Sequence, residues 1–410
     1  MKFKRKVLFI TLTFFFVGFH STDWAVASGV KDIVKANNDF AVSLYGQLKE
    51  KDGNLFFSPF RISTALAMTY AGAAGKTAEQ MVSVFHFELN TAAFHEKFKK
   101  LLEVQDADPG ADNYEIKVAN SLWFQKDFLL NKDFSSLLQN DYRSTSNSVD
   151  FKNDRSGSSL RINNWVDEKT AHKIKAIISP TNLSEDTRLI LVNAIYFKGK
   201  WENAFKKSST SRKKFYLNDN HPVDVQMMHT ESSFKYFEDD QIQEIELPYK
   251  GERISMVILL PKERNGLAKL ESQLTAGRLS AYLDGFRGYK KTVLSLPRFK
   301  TESLFDLAEF LIDMGMADAF DRKKADLSLM TTREEDKLFI SSVLHKAFVE
   351  VNEKGTEAAA VTALRFDLAQ SMPTKPVNPV IFTADHPFVF LIRDIETGSL
   401  LFMGRVVDPR

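Results

Sequence analysis

The sequence predicts a single α+β domain, and three observations carry that reading. Helical periodicity concentrates in the first half of the chain and strand-like runs in the second. The two are not interleaved in the βαβ rhythm of a parallel α/β sheet. No long linker, internal repeat or low-complexity stretch divides the 410 residues, and 44% hydrophobic with 26% charged is an ordinary globular composition.

Taken in order, residues 38–50 place Phe40, Ala41, Leu44, Tyr45 and Leu48 on one helical face, with Gly53 past the end as a stop. Residues 62–70 form a helix apolar almost all round, which has to be buried. Residues 114–124 alternate as a strand. Residues 161–178 are amphipathic, with Ile162, Trp165, Val166 and Ala171 on or near one face. Residues 189–197 are continuously apolar, as a strand covered on both faces requires. Residues 254–260 are a strand ending at Pro261, and Leu294-Ser295-Leu296 runs into Pro297. Residues 304–314 return to helical spacing. Residues 388–393 and 400–407 flank Glu396-Thr397-Gly398 as a hairpin.

The N-terminus has its own logic. Lys2, Lys4, Arg5 and Lys6 precede an apolar run over residues 7–19, and Ala25-Val26-Ala27 supplies small residues for a signal peptidase. Residues 1–27 are expected to be a signal peptide and 28–410 the mature domain. The apolar core is too short to span a membrane comfortably. Export would be extracellular, or periplasmic in a bacterium. The chain has no cysteine, so it would meet an oxidising compartment without a disulfide and must rely on its core. Asn182-Leu183-Ser184 is a glycosylation sequon only in a eukaryotic secretory pathway. A net charge of +2, with the signs interspersed, gives no footing for nucleic acid or an anionic membrane.

No motif of catalysis is present. There is no Gly-x-Ser-x-Gly elbow, His-Glu-x-x-His, phosphate loop or Gly-x-Gly-x-x-Gly, and the eight histidines are scattered. The expectation is a protein that is not an enzyme, with no metal and no cofactor. The informative segment is instead Glu353-Lys354-Gly355-Thr356-Glu357-Ala358-Ala359-Ala360 with the residues C-terminal to it. Every second residue from Thr356 reads Thr356, Ala358, Ala360, Thr362, Leu364, Phe366, a strand-competent face. It leads into a loop-like run with Pro373, Pro376 and Pro379. The spacing describes a loop able to become a strand, although residues 357–364 are also good helix formers.

Several separated segments resemble the serpin family. They are Asn54-Leu55-Phe56-Phe57-Ser58-Pro59, Tyr70-Ala71-Gly72-Ala73 with Thr77-Ala78-Glu79-Gln80-Met81, and Ile162-Asn163-Asn164-Trp165-Val166 with Thr170 and Lys173-Ile174. Leu191-Val192-Asn193-Ala194-Ile195-Tyr196-Phe197-Lys198-Gly199-Lys200-Trp201 and Leu296-Pro297-Arg298-Phe299-Lys300 come next. His386-Pro387-Phe388-Val389-Phe390 and Leu401-Phe402-Met403-Gly404-Arg405-Val406 complete the set in family order.

The resemblance implies one α+β domain of three β-sheets and eight or nine helices, with an exposed reactive loop at about 353–380. It implies a suicide inhibitor of serine proteases: the loop is cut, the protease is esterified to it, and the loop enters the large sheet as a strand. Glu353, Gly355, Thr356, Glu357, Ala358, Ala359 and Ala360 match the hinge. Ser58, Asn193 and His345 match the polar cluster under the opening of that sheet, and Trp201 the tryptophan at its top. Arg61 stands where many members have a second serine. By family spacing the scissile bond is Ala369-Gln370, which suits an elastase-like or subtilisin-like protease. Ser371 or Met372 would place it further on, Leu368 would suit a chymotrypsin-like enzyme and Arg365 a trypsin-like one. The helix matching the heparin-binding helix begins near Lys76 and lacks a basic stripe, so no heparin response is expected. A monomer is expected. A non-inhibitory relative, acting as chaperone, carrier or storage protein, is the alternative.

Overall fold

The computed structural model describes residues 29–87, 91–106, 113–333, 337–356 and 378–410. The signal peptide expected over residues 1–27 lies outside them, as does most of the expected reactive loop. The helices are α1 (Lys31–Leu48), α2 (Pro59–Tyr70), α3 (Gly75–Phe85), α4 (Thr91–Gln105), α5 (Lys132–Tyr142), α6 (Arg155–Lys169), α7 (Leu267–Gln273), α8 (Ala276–Leu283) and α9 (Ala308–Asp313). The strands are β1 (Leu55–Phe57), β2 (Tyr114–Gln125), β3 (Ser146–Val149), β4 (Leu189–Lys200), β5 (Ser211–Tyr216), β6 (Pro222–Glu238), β7 (Ile242–Pro248) and β8 (Ile254–Pro261). They continue with β9 (Tyr289–Pro297), β10 (Phe299–Asp306), β11 (Ile340–Asn352), β12 (Gly355–Thr356), β13 (Val380–Thr383), β14 (Phe388–Asp394) and β15 (Leu400–Val406).

One sheet runs β10-β11-β12-β4-β2-β3. The remaining nine strands are hydrogen-bonded into one network through β6, which joins a β1-β15-β14-β8-β7 part to a part made of β5, β9 and β13. Its end at Lys235–Glu238 pairs with β7 and so with β8, β14, β15 and β1. Its earlier part pairs with β5 and β9, and β9 carries β13. A 17-residue strand is long enough to serve both parts, so the hydrogen bonding is continuous from one to the other.

The main core lies between β1, β8, β14 and β15, the helices α1 and α2, and the inner face of the six-stranded sheet. All twelve residues of α2 are buried, as its all-round apolar pattern requires. A second apolar cluster covers the other face of that sheet. There Trp123 of β2 meets Trp165 of α6 edge to face at 5.8 Å, over Ile190, Val192, Ala194 and Leu344.

Three elements depart from their sequence signals. The first helix starts at Lys31 rather than 38, because the polar residues that hide its start are structural: Asn37 is buried and donates to the Leu400 carbonyl at 3.1 Å. α6 starts at Arg155, capped by Asp154, and ends before Ala171 and His172, whose φ of 50° and 62° break the helix. Residues 304–306 belong to β10, not to the helix expected over 304–314. Their pairing with β11 outweighs their helical spacing.

Candidate functional site

β4 and β11 lie side by side at the centre of the six-stranded sheet and run parallel. Eight pairs join them, from Ile340 opposite Leu189 to Phe348 opposite Tyr196, with a bulge between Ile340 and Ser342. Beyond that point they part, and β12 fills the space between them. Gly355 faces Asn352 on one side and Lys200 on the other, and Thr356 faces Val351 and Gly199. Both pairings of β12 are antiparallel. The chain thus folds back at Asn352 and starts down the seam between the two strands it separates.

Local chemistry explains this turn. Gly355 has φ 144°, and a Cβ there would sit 1.9 Å from the Gly199 carbonyl oxygen, so no other residue fits. A Cβ on Gly199 would in turn stand 2.6 Å from the Tyr249 ring. The Trp201 backbone N–H donates to the Lys354 carbonyl and its indole Nε1–H to the Asn352 carbonyl, each at 3.0 Å. Trp201 stacks on Tyr249 at 4.6 Å, and the Tyr249 hydroxyl shares a 2.8 Å hydrogen bond with the Thr356 hydroxyl. Thr356 is fully buried, so this bond satisfies a group whose burial would otherwise be costly. Burial pushes the Tyr249 phenol far up, keeping it neutral.

Glu353 is the other anchor. Its carboxylate accepts from the Thr210 hydroxyl at 2.6 Å and from Arg298 Nε at 2.8 Å, with Arg298 Nη2 also in contact. Burial would raise the Glu353 pKa, but the bonds from Arg298 and Thr210 outweigh it and hold the carboxyl below its ordinary value.

Beneath the seam lies a polar cluster. His345 and Asn193 face each other across β11 and β4, joined by a 2.6 Å hydrogen bond from Nδ1 to the Asn193 amide oxygen. The Ser58 backbone N–H donates to His345 Nε2 at 3.1 Å, and the Ser58 hydroxyl donates to the Leu401 carbonyl at 2.7 Å. With Nδ1 donating and Nε2 accepting, the imidazole is neutral; burial pushes its pKa down to about 3. The Ser58 hydroxyl also caps α2 at the Arg61 N–H. Arg61 turns its guanidinium away to Asp106 at 3.0 Å and leaves its carbonyl to accept from Asn193 and Asn120. The substitution for serine therefore keeps a polar network through its backbone.

The outer cover completes the site. Asn163 of α6 binds the segment after that helix, donating to the Ile178 carbonyl and accepting from Ile177 and Ile178. Lys346 of β11 donates to the Ala176 carbonyl, and Lys173 lies 5.3 Å over Tyr196 of β4. The segment after α6 thus lies against β4 and β11, tied to the helix by Asn163.

The structure brings Glu353, Gly355, Thr356 and Trp201 together at the top of the sheet, and Ser58, Asn193 and His345 below it. Glu357, Ala358, Ala359, Ala360, Ala369 and Gln370 lie outside the described residues. Tyr249, Gly199, Arg298 and Thr210 belong to the site but carried no signal of their own. Arg298 and Gly199 stood inside family-like motifs, whereas Tyr249 and Thr210 reach the hinge only through tertiary folding. Among the described residues no cluster of His, Asp or Glu could hold a metal ion.

The six-stranded sheet is thus parted at one end by its own chain, above a neutral histidine that ties β4 to β11. The family model described as serpin (serine protease inhibitor) matches residues 35–409, and the chain belongs to the serpin family. It is 41% identical to human Serpin B3 over 401 residues, covering 93% of this chain and all of that one. Human leukocyte elastase inhibitor is 39% identical, with 93% of this chain and all of the relative covered. Human thyroxine-binding globulin, solved with its hormone bound, superposes with a TM-score of 0.83 at 28% identity, covering 93% and 99% of the two chains.

Proposed function

We propose that the chain is a secreted, single-use inhibitor of serine proteases. The observation that carries the reading is β12: Thr356 already sits between β4 and β11, antiparallel to both. Cleavage in the loop frees the residues beyond Thr356 to continue along that path. Each step exchanges a β4–β11 pair for pairing on both sides of the new strand, and antiparallel pairing is slightly the stronger of the two. Insertion breaks the His345–Asn193 bond and lifts the α6 cover, which holds the seam closed until then. The acyl-enzyme is dragged along the sheet before water can release it.

The proposed bond is Ala369-Gln370, and an elastase-like or subtilisin-like enzyme is the proposed target. The likeness to leukocyte elastase inhibitor supports that choice. Mass spectrometry of the C-terminal fragment released by such a protease is expected to begin at Gln370; another start moves the bond. N-terminal sequencing of the exported protein is expected to begin at Ser28. The mature chain is proposed to be a monomer without heparin response, since α3 presents Lys76 alone, paired with Asp318 at 3.6 Å.

The test is a protease panel mixed with the mature chain and boiled in detergent. An inhibitor leaves a covalent complex with at least one serine protease. The likeness to thyroxine-binding globulin supports a second reading, a carrier, which would be cut or ignored and leave no such band.

A further inference from the structure

A cleft of about 580 Å³ opens beside the hinge, between the start of β10, the end of β11 and the last residues of the chain. Lys207, Arg298, Lys300, Lys354 and Arg410 line it, against Glu350 and Glu353. Arg410 is paired with Asp408 at 2.6 Å and Arg298 with Glu353, which leaves three lysines facing Glu350. Glu353 is already saturated by Arg298 and Thr210 at one oxygen and is buried in the wall. Lys207 and Lys354 have no ion-pair partner among the described residues. Lys300 rests over the Phe348 ring at 5.0 Å, an attraction that leaves its ammonium in solvent. Arg298 spends Nε and Nη2 on Glu353, and its side chain is 41% exposed toward the cleft.

We infer that this cleft is a binding site for a small multivalent oxyanion, carrying either phosphate or carboxylate groups. Convergent cations in a concave, partly desolvated site favour an anion over the monovalent charge of bulk salt. Arg298, with Nε and Nη2 held by Glu353, has its Nη1 end left to donate, and the lysines add point charges on either side. The groups that would hold the ligand come from β10, from the turn into β12 and from the segment after Trp201. An occupant ties together the pieces of chain that meet where β4 and β11 part, so the native fold gains stability by mass action. Neither the site nor its test depends on inhibition.

The probes are inorganic phosphate and citrate, titrated separately into the mature chain by calorimetry, with ionic strength held constant by sodium chloride. Saturable one-to-one binding of either supports the site, and the tighter of the two identifies the source. The double variant Lys207→Gln/Lys354→Gln is expected to weaken it at least tenfold. Its melting temperature without ligand should match the parent, since neither lysine is paired within the described fold. With the tighter probe near saturation the parent melts several degrees higher and the double variant does not. Should the double variant misfold, Lys300→Gln alone is expected to weaken binding several-fold. Absence of saturable heat with both probes, or undiminished binding by the folded double variant, overturns the assignment.

Discussion

The His345 imidazole keeps both its hydrogen bonds only while neutral, and this fixes a pH limit. Its pKa lies near 3 in the fold against about 6.5 in an unfolded chain. The stability it contributes is therefore present above pH 6.5 and lost as pH falls toward 3. Glu244 of β7 behaves in the opposite sense. It is buried, neither carboxyl oxygen has a partner, and burial, with Glu246 adding to it against Arg393, raises its pKa to about 8. Its contribution is present below about 4.5 and lost as pH rises through 8. Urea midpoints of the parent are expected to fall on both sides of a maximum at about pH 4.5–6.5. Glu244→Gln should flatten the alkaline side, gaining on the order of 1–3 kcal/mol at pH 8 and little at pH 4.5. A variant with the parent's alkaline slope would count against this account. Thr356 gives the functional prediction at this scale. Thr356→Arg buries an unpaired cation against Tyr249, so the chain is expected to become a substrate: complex formation drops at least tenfold while cleavage persists. Inhibition at the parent's rate would show that the loop does not enter here.

Among the elements, the proposed mechanism runs through the β4–β11 seam. Ala194 and Lys346 are register partners across it, and the chain has no cysteine to interfere. Ala194→Cys/Lys346→Cys, oxidised, should fold normally and be cleaved without forming complex, and a reducing agent should restore complex formation. Complex formation by the oxidised protein would place strand insertion elsewhere. The same element shows what the sequence discloses. The continuous apolar run of β4 and the alternation after Gly355 are visible because burial on both faces and period-two spacing leave direct marks on composition. The helical spacing over residues 304–314 misled because three of those residues pair with β11, a partner distant in the chain. Tyr249 and Thr210 were invisible for the same reason: each meets the hinge from a distant element, and nothing in its own neighbourhood says so. Ser58, Asn193 and His345 were legible only through family motifs, since a buried histidine has no local pattern.

For the whole molecule, the uncleaved state is expected to be held by a barrier rather than by depth. On the proposed mechanism, cutting the loop lets a complete strand join the sheet. For a chain of this size each ~1 kcal/mol gained raises the melting temperature by roughly 1–2 °C. Loop cleavage is therefore expected to raise it by more than about 10 °C in differential scanning calorimetry. A cleaved chain that melts with the intact one would match a carrier and exclude the proposed mechanism.

In the proposed inhibitor the turn at Gly355 commits the chain to one direction of travel, because the path it opens between β4 and β11 is vacated only once. Under that mechanism the molecule has no turnover and no way of being reset. Its capacity is a head count, one target removed for each copy made, so its effect in the surroundings is governed by dose and not by catalytic speed.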